Sequence, residues 1–116
     1  MDGILGNRPR TATTNGKQIT GMEITWRDRA LDDLEEARRY IAAHDPEAAA
    51  RIRERIFSAV GNLAMVPQLG RAGRVAETRE LVIPHTPYTV AYAVIAGGIV
   101  ILDVLHGAQE WPENFG

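Results

Sequence analysis

Cysteine is absent from the 116 residues of this sequence, which excludes disulfide bonds and thiolate metal ligands. Long apolar runs are absent too. No stretch approaches the roughly 20 residues that cross a bilayer, and the first residues lack the apolar segment of a secretory signal. We therefore expect a cytoplasmic protein that makes no contact with membranes. The length is sufficient for one domain with one modest core.

Basic charge is also in short supply. Twelve of the 13 basic residues are arginine, Lys17 is the single lysine, and the formal net charge is −2. Proteins that grip a phosphate backbone usually carry a clear basic excess, so direct binding to nucleic acid is disfavoured. Arginine nevertheless suits bidentate contacts with carboxylates and phosphates.

Residues 1–21 differ in composition from the rest of the chain. They are rich in Gly, Thr, Asn and Pro and show almost no apolar periodicity, a composition typical of a disordered or loosely attached segment. We interpret them as a disordered or non-native N-terminal extension, which places the folded domain at residues 22–116.

The next part of the chain predicts a strand followed by two helices. Residues 22–26 alternate apolar and polar side chains, as a short strand does. A first helix is predicted from about residue 27 to residue 43. Asp45 followed by Pro46 indicates the start of a second helix, which runs to about Met65. The predicted buried faces follow helical spacing: Leu31, Leu34, Ala37 or Arg38 and Ile41 in the first helix, and Ala49, Ile52, Ile56, Ala59 or Val60 and Leu63 in the second.

The C-terminal third predicts a loop and three strands. Residues 66–77 form the loop, with two Gly-Arg pairs three residues apart. Apolar runs at residues 82–83, 88–95 and 99–105 are separated by a Pro-His-Thr-Pro turn and a Gly-Gly turn, and the Gly-Gly turn is typical of a β-hairpin. Because so small a sheet must bury one face against helices, we predict an α+β fold. Its order is β-α-α-β-β-β, with a helical hairpin packed on a small, mainly antiparallel sheet.

Several short motifs stand in a characteristic order in the sequence. They are Asp45-Pro46-Glu47 between the helices, Pro67 with Gly70-Arg71 and Gly73-Arg74, the run TRELV at residues 78–82, Pro87-Tyr88, and the run VLHGAQ at residues 104–109 with Trp111-Pro112. In this order and spacing the sequence resembles the RelE/ParE superfamily, the toxins of type II toxin–antitoxin modules, which are also called plasmid stabilisation proteins. The resemblance covers residues 22–112.

The resemblance implies a growth-inhibiting toxin that a cognate antitoxin from the same operon holds inactive. In this family an extended antitoxin segment typically wraps the helical hairpin and lies along the sheet. The expected antitoxin-binding residues are Leu34, Ile41, Ile52 and Ile56. Operator DNA would be bound only through the antitoxin, and neither a cofactor nor a metal ion is implied.

The superfamily divides by target, and the resemblance leaves the target open. ParE-like members poison DNA gyrase, whereas RelE-like members cut messenger RNA in the ribosome. An RNA-cleaving site needs a proton acceptor, a proton donor and cations on the phosphate, for which Arg74, Arg79 and His106 are the candidate catalytic residues. The expected target-binding residues are Arg71, Arg74, Arg79, Tyr88, His106, Gln109 and Trp111.

Three features favour the gyrase hypothesis over the nuclease hypothesis. Pro84 occupies the turn where RelE-like enzymes usually carry a basic residue, Ala108-Gln109 stand where they often carry another, and the negative net charge suits ribosome binding poorly. A third alternative is a non-toxic chain that binds the antitoxin and acts as a co-repressor. The candidates also have structural interpretations: Arg71, Arg74 and Arg79 as salt-bridge partners of Glu77, Glu80 or Asp103, His106 as a hydrogen-bonding residue at a strand end, and Trp111 as a cap on the core edge.

Overall fold

The computed structural model describes residues 11–14 and 17–115 of the chain. Within them, two α-helices lie on a five-stranded sheet, and a two-stranded hairpin precedes the sheet in sequence. The strands are β1 (Thr11–Thr14), β2 (Lys17–Thr20), β3 (Glu23–Trp26), β4 (Arg71–Ala72), β5 (Arg79–Val82), β6 (Tyr88–Ile95) and β7 (Gly98–His106), and the α-helices are α1 (Asp28–Ala42) and α2 (Pro46–Gly61). The predicted α+β architecture is confirmed.

The order of strands in the larger sheet is β3-β7-β6-β5-β4. β3 runs parallel to β7, and every other neighbouring pair is antiparallel. β6 and β7 form the predicted hairpin around Gly97, whose φ of 75° suits a residue without a side chain. β3 pairs with β7 only as far as Ile101. Beyond that point α1 lies beside the edge of β7 that β3 leaves unpaired. There the Val104 N–H donates to Asp33 Oδ2 of α1 at 3.1 Å, which satisfies a backbone donor without a strand partner.

Helix α1 packs on the sheet through a narrow stripe. Ala30, Leu34 and Ala37 are buried and Ile41 is partly buried, in the spacing of one helical face. The prediction that Leu31 belongs to this stripe is wrong, because its side chain is 43% exposed. The small Ala30 takes the inward position, and Leu31 lies about 100° further round the helix, toward solvent.

Helix α2 begins as predicted. Asp45 is its N-cap, with Oδ1 accepting a 3.1 Å hydrogen bond from the Ala48 N–H, and Pro46 is the first helical residue. The α-helix ends at Gly61, before the predicted end at Met65, because the chain tightens there into a 3-10 turn, Asn62–Ala64. In the described part of the chain, no helix is long and apolar enough to cross a membrane.

Apolar side chains pack on both faces of the sheet. The main core lies between the helices and one face, where Ile56, Val60 and Leu63 meet Tyr92 and Ile101. Each fully buried aliphatic side chain of this size contributes about 1.5–3 kcal/mol. On the other face, Ala91, Leu102 and Leu105 form a second cluster with the partly buried Trp111 and Phe115. The segment after β7 therefore covers the sheet face that the helices leave open.

Two segments differ from the sequence-based expectation. Part of the predicted loop at residues 66–77 is regular, since Pro67–Leu69 form a 3-10 turn and β4 pairs with Arg79 and Glu80 of β5. In the predicted N-terminal extension, β1 and β2 pair as an antiparallel hairpin, which the composition did not indicate. Residues 1–10 and 15–16 lie outside the described residues, and the assignment of 1–21 as an extension stays a prediction.

Candidate functional site

A buried carboxylate, Glu80 of β5, lies against residues 70–78, which contain β4 and its connection to β5 and are here called the Gly-Arg loop. Glu80 is 4% exposed and pairs with Arg71 across the two strands. Its Oε1 accepts hydrogen bonds from Arg71 Nε (3.3 Å) and Nη2 (3.1 Å). Its Oε2 accepts from the Arg74 backbone N–H (2.8 Å) and from Arg74 Nε (3.2 Å). Two expected target-binding arginines are thus joined by one carboxylate, in agreement with their salt-bridge interpretation.

Glu80 is charged at neutral pH in spite of its burial. Burial alone would raise the pKa of its carboxyl group. The Arg74 N–H and the guanidinium groups of Arg71 and Arg74 more than offset that effect, so the pKa lies below its ordinary value. The Arg71 and Arg74 side chains are 59% and 53% exposed. The three side chains together carry two positive charges and one negative charge, and the positive groups reach solvent.

Close packing requires both glycines of the Gly-Arg loop. A Cβ atom on Gly70 would lie 2.8 Å from the Glu80 carbonyl oxygen and 2.7 Å from Tyr92 Cε1. A Cβ atom on Gly73 would collide with the Thr78 side chain and lie 2.9 Å from the Thr78 carbonyl oxygen. The two Gly-Arg pairs therefore reflect close approach of the loop to β5 and β6.

The peptide groups of Gly70 are also fixed by hydrogen bonds. The Gly70 N–H donates to the Tyr92 hydroxyl at 2.8 Å, and that hydroxyl donates to the Pro67 carbonyl oxygen at 2.7 Å. Arg79 Nη1 donates to the Gly70 carbonyl oxygen at 2.6 Å. Arg79 pairs with Tyr92 of β6, whose ring lies in the main core. Because paired residues share a sheet face and successive residues alternate, Arg79 and Glu80 point to opposite faces.

A tight turn after β7 contains two more of the expected target-binding residues. The His106 N–H donates to Gln109 Oε1 at 2.7 Å, and the Ala108 N–H donates to His106 Nδ1 at 3.0 Å. The His106 ring meets the Tyr88 ring edge to face, with centroids 5.4 Å apart at 85°. Burial, with a smaller effect of Tyr40, raises the pKa of Tyr88. His106 and Gln109 therefore close the turn, and Tyr88 packs beneath it.

Trp111, by contrast, lies against the Gly-Arg loop. The Arg74 guanidinium carbon is 3.6 Å from the centroid of its ring, a cation–π contact. Further on, the Phe115 carbonyl oxygen accepts a 2.9 Å hydrogen bond from Arg27 Nη1. These contacts fix the C-terminal segment (residues 107–115) to the sheet. We call Arg71, Arg74, Glu80 and Trp111 the Glu80 cluster.

The structure divides the expected target-binding residues between two places. Arg71, Arg74 and Trp111 surround Glu80, whereas Tyr88, His106 and Gln109 lie together at the turn after β7. Arg79 pairs with Tyr92 of β6, and His106 pairs with Tyr88 of β6. These pairing positions are separated by about 13 Å along β6, in addition to the width of the strand. The candidate catalytic residues Arg74, Arg79 and His106 are therefore not brought to one point.

The expected antitoxin-binding residues lie where the two helices meet. Leu34 and Ile56 are buried in the main core. Ile41 and Ile52 are partly buried. All four residues line a narrow groove between α1 and α2. Antitoxin contact by Leu34, Ile41, Ile52 and Ile56 stays a prediction.

Sequence reasoning missed two features of the site. It did not identify Glu80 as the centre of the cluster, although a glutamate inside an apolar strand pattern is a signal for a buried, paired carboxylate. It also missed Arg27, which has no local signal because its partner Phe115 is 88 residues away in sequence. The first depends on the pairing of β4 with β5, and the second on the return of the C-terminal segment to the start of α1.

A polar cleft of about 300 Å³ lies beside Trp111. Its wall includes the Asp103 carboxylate, which is almost fully buried and pairs with Arg29 Nε at 3.5 Å. Burial raises the pKa of Asp103, and the Arg29 charge and the Val104 N–H offset only part of that effect. The described residues contain no group of three or more His, Asp or Glu side chains that could hold a metal ion.

Comparison with known proteins decides the family. A family model described as the ParE toxin of the type II toxin–antitoxin system parDE matches residues 24–111. The chain belongs to the ParE toxin family. This confirms the superfamily expected from the motifs and makes the chain a toxin of a type II toxin–antitoxin system.

Individual relatives agree with this membership. The toxin is similar to toxin Y4kP of Sinorhizobium fredii, with 47% identity over 90 residues, which are 78% of this chain and 93% of that protein. It is similar to toxin RelE2 of Caulobacter vibrioides, with 38% identity over 87 residues, 75% of this chain and 97% of that protein. It also matches a chain of the chromosomal ParDE toxin–antitoxin system from P. aeruginosa with a TM-score of 0.69 and 25% identity, over 73% of this chain and 95% of that chain.

Proposed function

We propose that the toxin arrests growth by binding DNA gyrase in the cytoplasm through protein–protein contact, and that a cognate antitoxin neutralises it. The names of its relatives include both ParE and RelE, so the choice of target depends on the site. The main support for gyrase as the target is that the candidate catalytic side chains of Arg74, Arg79 and His106 lie apart from one another.

Cleavage of RNA needs an acid, a base and cationic donors around one phosphate. In this toxin Arg74 bonds to Glu80, whereas Arg79 lies on the opposite sheet face and donates to the Gly70 carbonyl oxygen. His106 belongs to the turn at the far end of β6. No one phosphate group could contact all three of these side chains in this arrangement.

The hydrogen bonds of His106 also argue against a catalytic base. Because the Ala108 N–H donates to Nδ1, the neutral imidazole carries its proton on Nε2. A general base must present an unprotonated nitrogen to its substrate. In His106 that nitrogen is already committed to the turn, and its use as a base would require the turn to open.

The net charge of the chain also favours gyrase over the ribosome as the target. The chain has a formal net charge of −2, and the exposed turn before β6 contains Pro84 where a nuclease of this superfamily usually has a basic residue. Binding to ribosomal RNA would gain little from such a surface. A protein surface on gyrase needs no basic excess, and contact with operator DNA is proposed to occur only through the antitoxin.

The antitoxin is proposed to bind along β5 and the adjoining helical hairpin. Within the described residues, β4 covers β5 only at Arg79 and Glu80, so the outer edge at Leu81 and Val82 has no strand partner. A largely apolar cleft of about 430 Å³ lies beside this edge, and Val82 is 49% exposed there. An extended antitoxin segment that adds a strand to this edge would fill the cleft with apolar side chains.

Expression of the toxin without antitoxin tests the proposed target in cells. Plasmid topology and transcript integrity are measured in the same culture, by gel electrophoresis and by primer extension. We expect growth arrest with relaxed plasmid and intact transcripts, and co-expression of the antitoxin should restore both growth and supercoiling.

Two other results would each contradict the gyrase proposal. Cut transcripts with unchanged plasmid topology would support the ribosome-dependent mRNA endonuclease. Unimpaired growth, with antitoxin binding retained by the purified toxin, would support the non-toxic co-repressor.

A further inference from the structure

We propose that Glu80 is a positioning residue of the toxin: it holds Arg74 against Trp111, and so fixes the C-terminal segment in the orientation that the target recognises. The part of this inference that concerns the target rests on the proposed function. The part that concerns the C-terminal segment stands on the geometry of the Glu80 cluster.

The bonds between Glu80 and Arg74 fix both the backbone and the side chain of Arg74. One oxygen, Oε2, accepts the Arg74 backbone N–H at 2.8 Å and Nε at 3.2 Å. These two bonds determine where the chain passes and which way the guanidinium plane lies. The same guanidinium group is 3.6 Å from the centre of the Trp111 ring. Glu80 therefore determines the position of Trp111 through Arg74, although no contact between Glu80 and Trp111 is needed.

Arg71 completes the arrangement from the other side of the carboxylate. It donates from Nε and Nη2 to Oε1, so both oxygens of Glu80 are held. A guanidinium group has five N–H donors, and these contacts use two donors of Arg71 and one of Arg74. The two half-exposed side chains therefore keep donors for a partner, while their positions are set from within the protein.

The C-terminal segment depends on this contact at its middle. At its start, the Gly107 N–H donates to the Pro87 carbonyl oxygen at 2.8 Å. At its end, Phe115 accepts from Arg27. Trp111 lies between these two points, where it packs on the second cluster and against Arg74. Loss of the contact with Arg74 should therefore loosen the middle of the segment while both ends remain attached.

The fold itself should tolerate a neutral residue at position 80. Glutamine has nearly the same volume as glutamate and can still accept a hydrogen bond. Arg71 and Arg74 are half exposed, so water can solvate them when the carboxylate charge is removed. No unpaired charge is left in the interior.

Hydrogen–deuterium exchange of the Glu80→Gln toxin tests the positioning role. We expect the amides of residues 107–115 to exchange about fivefold faster than in the wild type, with the core strands unchanged. The concentration of toxin that half-inhibits gyrase should rise by a similar factor. The exchange of the amides in α1 and α2 should not change either. A merely structural role would move all these quantities together.

Glu35→Gln is the matched control. Glu35 also pairs with two arginines, Arg38 and Arg39, but on the exposed surface of α1. Its replacement should leave both the exchange of residues 107–115 and the inhibition of gyrase unchanged. An equal effect of the two variants would contradict a specific role of Glu80.

A second variant keeps the test decisive if Glu80→Gln unfolds. Arg74→Lys retains the charge but loses the planar group over Trp111, and it should also speed exchange of residues 107–115. In the double variant the effects should not add, because both act through the same contact. Unchanged exchange in the folded Glu80→Gln protein, or in Arg74→Lys where the former does not fold, overturns the proposal.

The two proposals fail in different ways. If wild-type toxin leaves gyrase unaffected, the proposed target is wrong, but exchange of residues 107–115 still decides whether Glu80 positions this segment. Growth arrest in cells then replaces gyrase inhibition as the measure of potency. A Glu80→Gln toxin with a loosened segment and full potency would overturn the link between that segment and the target.

Discussion

The backbone N–H of Gly70 donates a 2.8 Å hydrogen bond to the hydroxyl of Tyr92, a residue without solvent exposure. The same hydroxyl donates to the Pro67 carbonyl oxygen. One core side chain thus bonds to the backbone at the first residue of the Gly-Arg loop, Gly70, and at Pro67 just before it. The positions of Arg71 and Arg74 are therefore determined from the core outward.

Removal of the Tyr92 hydroxyl should destabilise the folded protein. Tyr92→Phe leaves the Gly70 N–H and the Pro67 carbonyl oxygen without their partner, and we expect the free energy of unfolding to fall by about 2–3 kcal/mol. Urea unfolding measures it. Tyr40→Phe is the control, because Tyr40 is 70% exposed and its change should stay within about 0.5 kcal/mol. Equal stability of the Tyr92→Phe protein and the wild type would show that the hydroxyl does not hold the loop.

The glycines provide a second matched pair. A Cβ atom at Gly70 would overlap the Glu80 carbonyl oxygen and the Tyr92 ring, whereas one at Gly61 has nothing within 4 Å. Gly70→Ala should therefore destabilise the protein by about 2–3 kcal/mol. Gly61→Ala, at the end of α2, should stabilise it by about 0.5–1 kcal/mol. Thermal unfolding of both variants checks the prediction, and a reversed order would refute the packing described for the loop.

Asp103 should make the folded protein less stable as pH rises. Burial raises the pKa of its carboxyl group above the ordinary value of 3.8, so the unfolded chain loses this proton at a lower pH than the folded protein does. The contribution of Asp103 to stability therefore falls as pH rises through this range, and its full unfavourable effect is present at neutral pH. Asp103→Asn should raise the free energy of unfolding at pH 7, with a smaller gain at pH 3.

Thermal unfolding at the two pH values measures this difference. Glu54→Gln, at an exposed position of α2, controls for the general effect of removing a negative charge. If Asp103→Asn lowered the unfolding temperature at pH 7, the ion pair with Arg29 would outweigh the burial of the carboxylate, contrary to the present account.

The free edge of β5 yields a prediction about antitoxin binding. Val82→Asp places a charge beside the apolar cleft and should weaken antitoxin binding at least about tenfold, because a partner would have to desolvate that charge. Ile95→Asp is the control, since Ile95 is similarly exposed but lies at the far end of β6. Isothermal titration calorimetry with the purified antitoxin compares the two variants, and equal affinities would exclude the β5 edge as the binding site.

Short sequence patterns predicted the helices and strands that are determined by neighbouring residues. β6 occupies residues 88–95 as predicted, because alternation and the turn at Gly97 define it within a short stretch. The start of α2 follows in the same way from Asp45 and Pro46. In contrast, β4 has two residues and no periodicity of its own, and it becomes a strand only because Arg71 reaches Glu80.

The candidate site was predictable in its residues but not in its arrangement. The motifs identify Arg71, Arg74, Arg79 and His106, yet they do not indicate that Arg79 and Glu80 point to opposite faces. Nor does any short-range pattern indicate that the C-terminal segment returns to Arg27 and covers the second face of the sheet. These relationships arise from strand register and from contacts between residues far apart in sequence.

The most direct test of the account is a supercoiling assay with purified toxin and purified gyrase on a relaxed plasmid. We expect increasing toxin to inhibit supercoiling completely and equimolar antitoxin to restore it. Normal supercoiling at saturating toxin, in a preparation that still binds its antitoxin, would contradict the account.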